Sequence, residues 1–93
     1  MKRDLMELLA CPMCRSEELE LIVLAESVEI DEGVIACGGC GRYYPIIDTI
    51  PVMLPDQLRD REEDLSFLTR WQGKLPRRVA LEGRPHSLGE AGR

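Results

Sequence analysis

Two cysteine pairs, Cys11-Pro12-Met13-Cys14 and Cys37-Gly38-Gly39-Cys40, stand twenty-two residues apart and constrain this chain more than any other feature. Two residues between thiols let both sulfurs reach one tetrahedral ion from a tight turn, and two such turns complete a set of four. Glycines in the second turn permit the left-handed backbone that aims N–H groups at sulfur. Cys11, Cys14, Cys37 and Cys40 therefore form a predicted four-thiolate zinc site. Four thiolates fill the coordination sphere and leave no position for an activated water, which makes the zinc structural rather than hydrolytic.

Other uses of four cysteines fit less well. Two disulfides require an oxidising compartment, and Met1-Lys2-Arg3-Asp4 followed by the short, Glu7-interrupted run from Leu5 to Ala10 does not resemble a secretory leader. A cytoplasmic location is expected. A redox C-x-x-C belongs beside a βαβ pattern. A rubredoxin-like iron site stays open, because four thiolates also suit iron. With 93 residues and only four aromatic side chains, the core is small, and a metal staple is expected to decide whether the first half folds.

Around the pairs the chain alternates short patterns. Asp4 to Ala10 predicts a short amphipathic helix, with Leu5, Leu8 and Leu9 on one face and Asp4 as its cap. Leu19 to Leu24 and Val28 to Asp31 predict two strands, with a turn at Asp31-Glu32-Gly33 and a third strand, Val34 to Ala36, that delivers Cys37. Tyr43 to Leu54 predicts a hairpin or bent strand around Asp48-Thr49. Pro45 and Pro51 cannot donate to a ladder, so this ribbon belongs at a sheet edge, where apolar side chains on both faces call for a cover. Ile50, Val52 and Leu54 are expected to complete the core on one face, with Met53 as filler.

From Asp56 to Gln72 the residues Leu58, Leu65, Phe67, Leu68 and Trp71 recur at helical spacing, with Gly73 as the stop and Trp71 as the anchor. Leu75 to Gly83 reads as a short strand before a glycine-rich end that frays. The predicted fold is α+β: a zinc-ribbon core over residues 1–54 with a short N-terminal helix and three to four antiparallel strands, then a C-terminal helical extension over 55–93 packed on the same domain.

Charge narrows the function. The formal net charge is −5, and residues 1–50 hold four basic against ten acidic side chains. That disfavours phosphate-driven binding, so a nucleic-acid-binding zinc ribbon using Arg42, Arg77, Arg78 and the tyrosines is the secondary reading. The acidic residues from Glu17 to Glu32 read as a solvated face, and His86 lies in a polar loop without a nucleophile to serve. No apolar run approaches membrane-spanning length, so no membrane partner is expected.

The ordered set Leu-Ala-Cys-Pro-x-Cys-Arg, then Gly-x-Ile-x-Cys-x-x-Cys-Gly-Arg-x-Tyr-Pro-Ile-x-Asp-x-Ile-Pro-x-Met-Leu, resembles the small zinc-ribbon activator subunit of tRNA, rRNA and release-factor methyltransferases, the Trm-type multifunctional methyltransferase subunit family. The resemblance covers Leu5 to Leu54. It implies a non-catalytic subunit that holds structural zinc at the four cysteines and forms a heterodimer with an S-adenosylmethionine-dependent methyltransferase, reaching nucleic acid only through that partner. It places Ile50, Pro51, Val52 and Met53 in or near the partner-facing strand. Thr49 stands where the family commonly has Gly, so a left-handed turn there is expected to be strained.

Overall fold

The computed structural model describes residues 1–91, with the side chains of Glu90 and Ala91 left aside. Four antiparallel strands form one sheet in the order β1-β2-β3-β4: β1 Leu19–Glu26, β2 Ile30–Cys37, β3 Tyr43–Ile47 and β4 Ile50–Pro51. A 3-10 helix, Arg3–Leu8, precedes the sheet, and a 3-10 turn, Asp56–Leu58, follows it. Three α-helices follow among the described residues: α1 Arg61–Trp71, α2 Arg77–Ala80 and α3 Leu88–Ala91. The α+β class is as expected.

Strand alternation divides the molecule into two apolar layers. On one face Val34, Ala36 and Tyr43 meet Phe67, Leu68, Val79 and Ala80 from the helices and Leu75 from the bend between α1 and α2. On the other, Ile30, Ile35, Cys37, Tyr44 and Ile46 pack with Cys11 and Met1, flanked by Leu5, Met6, Leu9 and Met53. Cross-strand pairs follow the same rule, with Ala36 opposite Tyr43 and Ile35 opposite Tyr44. A small residue faces a ring in the first pair, which lets both fully buried tyrosines fit within one short strand.

Several local expectations change. The N-terminal helix is 3-10 rather than α, Lys2 and not Asp4 is its cap, and Leu8 points to solvent at 81% exposure. Asp31-Glu32-Gly33 does not turn. It continues β2, and the β1–β2 connection lies at Ser27–Glu29, with Ser27 N–H donating to the Glu29 carbonyl at 3.0 Å. Gly33 serves close approach instead: a Cβ there would sit 2.7 Å from the Ile22 carbonyl oxygen. The strand expected in the tail is α2, which begins after Pro76, a residue that pre-sets its own φ for a helix entry. Leu58 lies in the 3-10 turn with 62% exposure rather than on α1. Trp71 packs half-buried against the first layer, and α1 ends there, two residues before Gly73. The last two residues, expected to fray, lie outside the described ones.

Asp48 and Thr49 both take positive φ, 50° and 71°, and close β3 onto β4 as the two-residue turn whose twist suits a hairpin. A β-branched residue at Thr49 holds that conformation against steric resistance. Thr49 N–H donates to the Asp31 carbonyl at 2.9 Å, which ties the turn to β2.

Candidate metal centre

The turn after the 3-10 helix brings Cys11 and Cys14 together, with Arg15 N–H donating to the Cys11 carbonyl at 2.8 Å and Arg15 itself at φ 64°. The end of β2 delivers Cys37, and the following loop folds back through Gly41 at φ +79° to place Cys40. All four sulfurs lie within 4.8 Å of one another. The Cys11–Cys40 and Cys14–Cys37 sulfur separations are 3.7 and 3.5 Å. A tetrahedral ion with metal–sulfur bonds of about 2.3 Å requires sulfur separations of about 3.8 Å. The donor set and its spacing therefore fit a single four-coordinate ion, and these residues would hold it.

The surroundings treat the two buried sulfurs differently. The Tyr44 hydroxyl lies 2.9 Å from Cys11 Sγ, with both residues buried. Burial pushes the Cys11 thiol up, but the N–H groups of Cys14 and Met13 and the Tyr44 hydroxyl outweigh it and bring it down to about 6. At Cys37 burial prevails over the N–H groups of Cys40 and Gly39 and holds the thiol up at about 12. The Tyr44 hydroxyl is itself shifted upward by burial and by its contact with Cys11. Arg42 makes two hydrogen bonds to Asp56 at 2.7 and 2.8 Å, and these, with the neighbouring Cys40, raise its pKa. Bound metal would take the place of the thiol protons.

The β3–β4 ribbon is open. Ile50 is 65% exposed and Leu54 is 38% exposed, so neither completes the core, whereas Met53 packs into the metal-side layer. Pro51 and Val52 are half-buried. Val52 N–H turns inward to the Pro45 carbonyl at 2.8 Å, so alternation puts the missing N–H of Pro51 on the outer side of β4, where it breaks no ladder bond.

Sequence reasoning missed a buried polar group behind β3. Arg59 forms an ion pair with Asp64 at 2.9 Å, donates to the Tyr43 carbonyl at 2.7 Å and lies over the Tyr43 and Tyr44 rings. His86 Nδ1 meets the other Asp64 oxygen at 2.9 Å, so His86 is a structural contact rather than a free loop residue. The Arg cluster considered for RNA is engaged in pairs: Arg42 with Asp56, Arg77 with Glu82, and Arg78 with Glu20. Among the described residues no helix is long and apolar enough to cross a membrane.

Fold and centre together define a small metal-knuckle protein of the zinc-ribbon type, an antiparallel sheet clasped at one end by four thiols. A family model described as Trm112p-like protein matches residues 2–48. A UPF0434 protein of Nitrosococcus oceani is 42% identical over 67 residues, covering 70% of this chain and all of that protein. One from Coxiella burnetii strain CbuG_Q212 is 42% identical over 59 residues, covering 63% of this chain and 91% of the relative. Among solved structures, the Haloferax volcanii Trm112 methyltransferase activator, captured in complex with a candidate methyltransferase, superposes with a TM-score of 0.59 at 42% identity. That match covers 63% of this chain and 100% of the archaeal one. The chain belongs to the Trm112p-like family.

Proposed function

We propose that this chain is a non-catalytic partner subunit that binds and activates an S-adenosylmethionine-dependent methyltransferase acting on tRNA, rRNA or a release factor in the cytoplasm. The observation that carries the reading is the likeness to the Haloferax volcanii activator over the whole of that chain. The exposed Ile50 and Leu54 at the β4 end of the sheet support it, because an apolar edge of this kind needs a cover. Ile50, Pro51, Val52 and Met53 form the partner surface in this reading. Cys11, Cys14, Cys37 and Cys40 bind structural zinc, an ion that suits four thiolates at these separations. Residues 1–54 act as the metal-bearing core, and residues 55–93 as an extension whose Phe67, Leu68, Leu75, Val79 and Ala80 cover the opposite sheet face.

The test is co-purification of the full chain from its host with identification of bound proteins, alongside metal analysis. A methyltransferase in stoichiometric amount with one zinc per chain is expected, and Ile50→Glu should lose the methyltransferase while keeping the zinc. Recovery of RNA without any methyltransferase, or equal recovery by the variant, would overturn the reading.

A further inference from the structure

The outer edge of β3 has two halves. Beside Pro45 to Ile47 it is covered by β4, through the pairs Ile46–Pro51 and Ile47–Ile50 and the bond from Val52 N–H to the Pro45 carbonyl. Towards the metal knuckle β4 does not reach, and the backbone of Gly41 to Tyr43 turns its polar groups to a segment from the far end of the chain. Arg84 N–H donates to the Gly41 carbonyl and Tyr43 N–H to the Arg84 carbonyl, both at 3.1 Å, as a parallel bridge between Arg42 and Arg84. The remaining group on this side, the Tyr43 carbonyl, accepts from Arg59.

The fit is close. A Cβ on Gly83 would lie 2.5 Å from the Val79 carbonyl oxygen and 2.6 Å from the Tyr43 ring, so only glycine brings the segment to the edge. The Tyr43 hydroxyl donates to the His86 carbonyl at 2.6 Å, and the His86 ring rests on Asp64. The Haloferax volcanii activator is matched over its whole length by 63% of this chain, so part of this chain has no counterpart there, and the family match ends at residue 48, ahead of this segment. The extension thus supplies an occupant for this half of the edge from within the chain.

We propose that Gly41 to Tyr43 is a strand-accepting edge, and that residues 83–86 are its built-in occupant, which an extended segment of the partner subunit must displace in order to pair there. This rests on the activator reading for the identity of the displacing segment, but not for the edge itself. Recognition is through main-chain bonds, so the chemistry it selects is an extended segment with glycine against the Tyr43 ring. The occupant's two ladder bonds both come from Arg84, whose side chain is exposed, and its other ties are the Tyr43 hydroxyl on the His86 carbonyl and the His86 ring on Asp64, so it can open locally without loss of the sheet. Being tethered, it competes at high effective concentration and lowers the apparent affinity of any strand offered from outside.

The test uses the full, metal-loaded chain and the variant Gly83→Val, with a synthetic peptide of the sequence Glu82 to Leu88 as the probe, followed by amide hydrogen exchange and NMR titration. The variant should exchange the Tyr43 amide at least tenfold faster while amides of the β1–β2 ladder keep their rates. It should bind the peptide at least tenfold more tightly than the unmodified chain, with Tyr43 protection restored. Peptide binding to neither protein, or to both alike, would overturn the proposal. His86→Ala, which loosens the same segment without a clash, is measured in the same way and decides the matter if the valine variant loses its far-ultraviolet signature. No methyltransferase is present, so a failed activator reading and a failed edge are told apart.

Discussion

Replacing Arg59 by methionine tests the energetics of the polar group behind β3. The Arg59 side chain is 0% exposed and Asp64 is 6% exposed, so the carboxylate left behind has little access to water. Removing one member of a buried ion pair costs about 3–5 kcal/mol, most of it from the charge left behind, which here keeps only the His86 ring as partner. The variant also forfeits the charge-assisted bond to the Tyr43 carbonyl at 2.7 Å. Against a typical domain stability of about 5–15 kcal/mol, this places R59M near the edge of folding. The double variant R59M/D64L removes the stranded charge and leaves the Tyr43 carbonyl unsatisfied, a cost of about 1–3 kcal/mol, while the half-buried His86 ring loses its Asp64 contact and turns to water. Urea unfolding of the metal-loaded proteins, read as a double-mutant cycle, should therefore find the double variant more stable than R59M alone. A single variant within about 1 kcal/mol of the parent, or a double variant no better than the single, would refute the account.

Tyr44→Phe keeps the ring in the core and removes only the hydroxyl at Cys11 Sγ. Loss of such an outer-shell donor lowers metal affinity by about 10–100-fold, measurable by competition with a chelator while circular dichroism stays unchanged. Thr49→Gly should stabilise the chain by about 0.5–1 kcal/mol, because a left-handed residue with a side chain costs about 1–2 kcal/mol and glycine returns part of that as unfolded-state entropy. Hydrogen bonding to Arg42 holds the Asp56 carboxyl below the usual carboxylate range. Its stabilisation is thus present above the unfolded pKa of about 4 and lost as pH falls through the lower folded value, so Asp56→Asn should be less stable than the parent at neutral pH and converge with it in acid.

The metal centre was legible because each half is written locally, as two residues between cysteines, and the long separation between halves is fixed by one hairpin. The β3–β4 turn was legible for the same reason. Gly33 misled because a glycine after two acidic residues carries the composition of a turn, while its actual cause, the Ile22 carbonyl across the ladder, exists only once β1 is paired. Arg59, Asp64 and His86 look like ordinary surface polar residues in sequence. Only the folding of the extension onto β3 removes them from water, and the spacing from Asp64 to His86 carries no periodic signal. The tail helix was missed because four residues are too few to show a period.

The alternation along β2 has a consequence for how such a chain can change. Val34 and Ala36 look towards the helices, whereas Ile35 and Cys37 look towards the thiol cluster. Deleting or inserting a single codon in this stretch would exchange the two populations, sending a metal-binding sulfur into the helical layer and an alanine to the ion. Length variation in descendants of this chain should therefore gather at the Ser27–Glu29 tip and beyond the ribbon, leaving the interval from Ile30 to Cys37 at constant length.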